Sequence, residues 1–231
     1  MSEGNGAKSA LVIGASRGLG LGLSLELLKR GWNVTATVRS AAGGTGLEDY
    51  YQQVTMDTLD INNTSMVNAF VHRMNGKFFD VVLVNAGIGG PEGKTVETVT
   101  PEDMTHLVMT NSVAPVRLAY RLLPMVRPET GILAFMSSIL GSVTLTSGWS
   151  PLYSASKAAL NSLTRSLVSE LKEQKLTVLT LHPGWVRTDM GGPNADIDVE
   201  TSVTGLADVL QAKAGAGGHE FLDYRGTTLP W

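Results

Sequence analysis

Short apolar runs alternate along this chain with longer stretches in which leucines recur every three or four positions. The runs Ala10–Gly14, Asn33–Arg39, Val54–Met56, Val81–Asn85, Ile132–Ser137, Thr177–His182 and Glu220–Asp223 are rich in Val, Ile, Leu and Thr. Gly, Asn or Asp bound them, so they are predicted strands. Continuous apolar runs of this kind suit a parallel sheet covered on both faces. Between them, Gly18–Arg30 places Leu19, Leu23, Leu27 and Leu28 on one helical face. Thr100 and Pro101 form an N-cap followed by a first helical residue, and Pro115 predicts a bend further along. Ser150 and Pro151 repeat the start signal before a helix carrying Leu160, Leu163, Leu167 and Leu171. A further helix is expected near Val199, and Ala41–Gly46 and Gly215–Gly218 read as surface loops. Strand–helix alternation implies right-handed βαβ units wound into an α/β, doubly wound sheet.

Composition narrows the function classes. The chain has 231 residues and a net charge of -3, so nothing draws it to a nucleic-acid backbone. With no cysteine there is no thiolate nucleophile and no disulfide framework. His72, His106, His182 and His219 lack metal-ligand spacing, so no metal is expected. No apolar run approaches membrane-spanning length. The beginning, residues 1–7, is polar and expected to be flexible. No repeat or linker divides the chain, so one domain over 1–231, in the cytoplasm and without a membrane partner, is the expectation.

The first strand runs into Gly14-Ala15-Ser16-Arg17-Gly18-Leu19-Gly20 and then a helix. Glycines let backbone turn sharply and approach a pyrophosphate, and the helix start offers free N–H groups and a positive dipole end. The spacing differs from the G-x-G-x-x-G fingerprint of other dehydrogenases. An NAD site usually has a carboxylate roughly 20 residues past the glycines, bonded to the ribose 2′-hydroxyl. Here that region reads Thr37-Val38-Arg39-Ser40, an arginine without a carboxylate. Arg39, with Arg17 in the glycine loop, predicts charge-assisted bonds to a 2′-phosphate and therefore NADP(H).

Tyr153 and Lys157 stand at i and i+4 at a helix start and share a face. An ammonium about 5 Å from a phenol interacts by roughly 3 kcal/mol at an effective dielectric of about 20. That is on the order of two pKa units, so Lys157 is expected to lower the phenol toward acid/base range.

With the glycine loop Gly14 to Gly20, Asn85-Ala86-Gly87, Asn111, Ser138, the Tyr153/Lys157 pair and Pro183-Gly184-Trp185-Val186-Arg187-Thr188 in order, the chain resembles the short-chain dehydrogenase/reductase superfamily over nearly its whole length. The stretches 136–142 and 181–192 and the end Gly226-Thr227-Thr228-Leu229-Pro230-Trp231 resemble its sniffer/C-factor-like carbonyl-reductase branch. The resemblance implies a single Rossmann-type sheet of about seven parallel strands in the order 3-2-1-4-5-6-7. It implies that Tyr153 exchanges a proton with the substrate oxygen and that Ser138 hydrogen-bonds that oxygen. Lys157 would tune Tyr153 and hold the nicotinamide ribose, and Asn111 would position a relay water. Cofactor contacts would come from Gly14, Ser16, Arg17, Gly18, Leu19, Gly20 and Arg39, from Asp60 at the adenine, and from Asn85, Ala86 and Gly87 beside the adenosine ribose. Tyr153, Lys157, Pro183, Gly184, Val186 and Thr188 would complete that set. Ser138, Ile139, Leu140, Trp149, Tyr153, Trp185 and Met190, with Leu145 a further candidate, are expected to form the substrate wall, plain core being the alternative for several of the apolar ones.

Three departures stand out: Ile13 where Thr often precedes the first glycine, Val84 where Asn often precedes Asn85, and a Ser138–Tyr153 interval longer than usual. The extra length must bulge over the site. Ser137 is the fallback for Ser138, though adjacent strand residues point oppositely, and Ser142 is a third candidate. His182 is expected to be a hydrogen-bonded structural residue and Asp189 a turn cap. The expected activity is reduction of an aldehyde or ketone, or the reverse oxidation of an alcohol, at an open, shallow site. The rival is a cofactor-binding signalling or sensor protein with little turnover. The family also implies a homodimer or homotetramer.

Overall fold

The computed structural model describes residues 6–40, 47, 49, 52–145, 147–171 and 175–231. Its sheet contains β1 (Ser9–Ile13), β2 (Asn33–Val38), β3 (Val54–Thr58), β4 (Val81–Val84), β5 (Ile132–Met136), β6 (Thr177–His182) and β7 (Gly218–Asp223). Every pairing is parallel, in the order β3-β2-β1-β4-β5-β6-β7. The helices are α1 (Gly18–Lys29), α2 (Thr64–Met74), α3 (Pro101–Val108), α4 (Ala114–Leu122), α5 (Pro151–Glu170) and α6 (Val199–Ala212).

Strand alternation explains the two helical layers. In β1, Ala10 and Val12 join a core with Leu23 and Leu27 of α1 and Val203, Leu206 and Leu210 of α6. Leu11 and Ile13 point the other way, into a core with Phe70 of α2, Leu118 of α4, and Leu160 and Leu167 of α5. Ile13 and Val84, the two departures near the glycine loop, belong to this second core and are almost fully buried. Each therefore adds apolar packing next to the loops at this end of the sheet.

The strand order reverses between β1 and β4, and ligands of open α/β sheets bind outside the carboxyl ends of the strands at such a point. The glycine loop follows β1 there and Asn85-Ala86-Gly87 follows β4.

Several local expectations need correction. Helix α2 carries no leucine stripe and was not anticipated; Asn63 caps it, its side chain accepting from Met66 N at 3.0 Å. Ser150 precedes α5 as expected, but it is left-handed, with φ 47°, and its side chain makes no capping hydrogen bond. Thr100 does cap α3, reciprocally with Asp103. Where a bend is expected near Pro115, the structure has a π-helical turn, Met109–Val113, ending just before α4. Such a turn inserts one extra residue into the helix, frequently at a functional site. Gly218 belongs to β7 rather than to a loop. The loop expected at Ala41–Gly46 and most of the flexible beginning lie outside the described residues.

Candidate active site

At the carboxyl end of β5, Ser137 and Ser138 separate as strand geometry requires. Ser137 Oγ donates to Asn161 Oδ1 at 2.6 Å, deep inside the molecule. Ser138 opens the short 3-10 turn Ile139–Gly141, its Oγ accepting from Leu140 N at 3.2 Å. Its hydroxyl also bears on Tyr153 of α5. Ser142 accepts from Leu145 N and so serves the following loop. Of the three serines, Ser138 is the one that meets Tyr153.

Burial pushes the Tyr153 phenol up to about 12, and the Ser138 hydroxyl pulls it the other way. Burial also pushes the Lys157 ammonium down to about 8. The expected depression of the phenol by Lys157 is corrected accordingly. Lys157 Nζ lies 5.7 Å from the Tyr153 ring centroid and donates to Met136 O at 2.9 Å. A backbone carbonyl, rather than the phenol, holds it, and desolvation of the phenol dominates.

The π-helical turn places Asn111 fully inside the protein. Its Oδ1 accepts from Ile88 N and its Nδ2 donates to Ile88 O, both at 2.8 Å, and also to Ser156 Oγ at 3.0 Å. Ser156 Oγ donates to Tyr153 O at 2.7 Å, and Ser112 Oγ donates to Ser156 O at 2.6 Å. Asn111 thus ties the loop after β4 to the first turns of α5. A Cβ on Gly87 would come 3.3 Å from Asn111 Oδ1 and 3.5 Å from Lys157 Nζ. This brings the β4 loop, the π turn and α5 to one place. Ser156, Ser112 and Asn161 are partners that sequence reading did not single out; the small polar residues interrupting the apolar face of α5 were the available signal.

On the other side of the switch point, Gly14 has φ 89° and Gly18 φ 55°, conformations that disfavour any side chain. A Cβ on Gly20 would meet Gly14 O at 2.0 Å, so α1 packs directly against the loop. Asn85 Nδ2 donates to Gly14 O at 2.8 Å, and Gly14 N donates to Thr37 Oγ1 at 3.0 Å, fixing the loop's position. Ala86 packs where a Cβ on Gly14 would go. The first turn of α1 holds no acidic residue, and its N-cap, Arg17, makes no side-chain cap. The N–H groups there, with Ser16 and Leu19 alongside, suit an anionic group. Arg39 is exposed just past β2, and Asp60 Oδ1 accepts from Asn62 N after β3.

The segment after β6 crosses this mouth. Pro183 O accepts from Ser202 Oγ at 2.6 Å, and Gly184 turns with φ 87°. Buried Val186 pairs with Ile197. Thr188 Cγ2 lies 3.6 Å from where a Cβ on Gly18 would stand. Asp189 is not the expected cap: it pairs with Arg17 at 2.9 Å, while Thr188 Oγ1 accepts from Gly191 N. His182 is expected to be hydrogen-bonded, but among the described residues its buried Nδ1 meets no partner, and desolvation holds the ring down to about 4. It is therefore neutral at ordinary pH.

The apolar candidates for the substrate wall are not core. Trp149 is 57% exposed, Met190 55%, Leu145 42% and Trp185 37%. Trp149 and Trp185 meet edge-to-face at 5.3 Å, and Trp185 Nε1 donates to Gly191 O. Ile139 and Leu140 are half-buried below Ser138. Grooves of about 520 and 500 Å³ lie beside Trp231 and beside His106 and Arg117; neither includes Tyr153.

The family described as short chain dehydrogenase matches residues 8–197. The C-signal protein of Myxococcus xanthus is 36% identical over 154 residues, which are 66% of this chain and 92% of that protein. A carbonyl reductase from Pseudomonas aeruginosa PAO1 in complex with NADP superposes with a TM-score of 0.90 at 40% identity, covering 98% of this chain and 100% of that one. Carbonyl reductase Sniffer of D. melanogaster superposes with a TM-score of 0.86 at 31% identity, covering 98% and 100%. Fold, motif order and these likenesses agree: the chain belongs to the short-chain dehydrogenase/reductase family, on its carbonyl-reductase-like side.

Proposed function

We propose that this protein is an NADPH-dependent reductase of aldehydes and ketones. The observation that carries the reading is the meeting of Ser138 and Tyr153 beside Lys157 at the carboxyl end of β5. The residues around the glycine loop fit a dinucleotide, because the uncapped start of α1 offers N–H donors and its own first turn holds no acidic residue. Arg17 and Arg39 are the cations for a 2′-phosphate, and the structural relative from Pseudomonas aeruginosa binds NADP. When bound, NADPH supplies the hydride that the substrate's carbonyl carbon receives.

The chain's own groups handle the oxygen. Ser138 orients it and donates a hydrogen bond that strengthens as charge grows there. Tyr153 is protonated at neutral pH, as a proton donor must be, and gives its hydroxyl proton to the same oxygen. The Lys157 ammonium beside the ring then stabilises the phenolate left behind. Asn111 holds the loop after β4 against α5 and so keeps Lys157 and Tyr153 in register with the cofactor mouth. In alcohol oxidation the same protons run backwards. Exposed Trp149, Trp185 and Met190 favour substrates with apolar or aromatic bodies.

The test is NADPH consumption against a panel of aldehydes and ketones, wild type beside Tyr153→Phe. The variant is expected to lose roughly 10³-fold in kcat at unchanged Tm, since general acid catalysis is typically worth 10²–10⁴. Turnover that survives the substitution removes the mechanism. Likeness to the C-signal protein motivates a second reading, a cofactor-binding signalling protein. Tight NADPH binding without turnover of any carbonyl would favour it.

A further inference from the structure

The end motif, residues 226–231, has no task in the reaction above, and neither does the extra length between Ser138 and Tyr153. The structure joins the two. After β7 the chain doubles back: the buried Asp223 carboxylate accepts from Arg225 N at 2.9 Å and Thr227 N at 2.8 Å, and Asp223 N donates to Thr227 O. Leu222 bridges antiparallel to Thr228, and Leu229 N donates to Phe221 O at 2.8 Å. This return lays the Trp231 ring 4.7 Å from the His219 ring and 5.3 Å from the Phe221 ring, both on β7. The Arg165 guanidinium of α5 sits 5.2 Å from the same ring. From that seat the Trp231 backbone oxygen accepts twice from Thr144, from N at 3.2 Å and from Oγ1 at 2.8 Å.

Thr144 stands in the lengthened loop, past the turn that Ser138 opens and before Trp149. Trp149 in turn braces Trp185 on the far side of the mouth and accepts, through its backbone oxygen, from Ser154 Oγ of α5. We propose that Trp231 is a positioning residue for the carbonyl substrate: anchored on β7 and α5, it holds Thr144 and thereby sets the loop that carries the Trp149 wall. Its seat is on β7 and α5, whereas α1 behind the glycine loop packs into the core on the other face of the sheet, so the cofactor contacts are expected to be left alone. The proposal rests on the carbonyl-reductase reading for the identity of the substrate, while the tie itself is independent of it.

Two measurements test it. In steady-state reduction of an aromatic ketone by NADPH, Trp231→Ala keeps the backbone oxygen but removes the ring that seats it, and the ketone KM is expected to rise about tenfold, the upper range for release of both bonds to Thr144. The NADPH KM should stay within about twofold and kcat within about threefold, and Trp231→Phe, which keeps a stacking ring, should restore most of the loss. Thr144→Val, which removes one of the two donors without disturbing β7, should shift the ketone KM in the same direction by roughly threefold. Equal rises in both KM values, or no rescue by Phe, overturn the proposal. Amide hydrogen exchange reads the tie without any activity. The Thr144 amide should exchange about tenfold faster in Trp231→Ala, with α5 amides unchanged. Unchanged protection at Thr144 sinks the proposal. Should the wild type reduce no carbonyl at all, the functional reading falls while the exchange measurement still decides the tie.

Discussion

The two sides of the switch point solve different physical problems. On the glycine-loop side the charged groups face water: Arg17 and its partner Asp189 have side chains 70% and 76% exposed, and Arg39 is exposed as well. On the Tyr153 side the polar groups are sunk: Asn111, Ser112, Ser137, Ser138, Ser156, Lys157 and Asn161 are all buried. Exposed cations recognise a charged cofactor at modest strength and with salt dependence, because water and ions screen them. Buried groups shift in pKa and act over short distances, because little water competes. Recognition and chemistry are thus separated by dielectric as well as by position.

The largest effect that sharpens this contrast should come from Lys157. Burial lowers its pKa to about 8, so the ammonium is present below that pH and is lost above it. Reductive kcat/KM in the wild type is therefore expected to be level at neutral pH and to decline as pH rises through about 8. Lys157→Met should lower kcat/KM by roughly 10²-fold at pH 7 and abolish that step. The pH–rate profiles of the two proteins, measured side by side, check both statements. A step that persists in the variant would assign the titration to another group.

Across the mouth, Arg39→Ala should raise the NADPH KM by about tenfold while changing the NADH KM little, as expected for one charge-assisted bond to a phosphate. The difference between the two cofactors should shrink as salt is added. Initial rates with each cofactor at low and high ionic strength measure it. Equal loss with NADH would mean that Arg39 supports the fold rather than reading the 2′-phosphate.

How far the sequence discloses all this also differs between the sides. The cofactor side is local: strand, glycines and helix start are contiguous, so the loop and the missing carboxylate can be read directly. The strands were legible for the same reason, since apolar runs with glycine or asparagine at their ends mark them without long-range information. The catalytic side is not local. Tyr153 and Lys157 were visible as an i, i+4 pair, but the partner of Lys157 is a carbonyl on β5, Met136 O, which no side-chain pattern encodes. Asn111 was visible as a residue but not its setting, because a π-helical turn depends on one inserted residue and leaves the leucine period nearly intact. The direction of the Tyr153 shift was misread because a pairwise Coulomb argument omits desolvation, which the fold determines. Asp189 was misassigned since its partner, Arg17, is far away in the chain.

That ion pair carries the smallest expected effect and the finest test of the contrast. Arg17 is asked to face a cofactor phosphate, yet its guanidinium is held by Asp189 at 2.9 Å. Both side chains are mostly in water, and exposed pairs of this kind contribute little, often nothing measurable. A phosphate carries more charge and accepts bidentate bonds, so it should win the guanidinium from a single exposed carboxylate. Asp189→Asn is therefore expected to tighten NADP binding by only about twofold at low salt and by nothing at high salt. Fluorescence titration of the cofactor at the two ionic strengths measures this. A loss of binding on the order of tenfold or more would require the carboxylate to do something for the cofactor that a screened surface charge cannot do, and the division between a wet recognition side and a dry chemical side would then fail at the segment after β6.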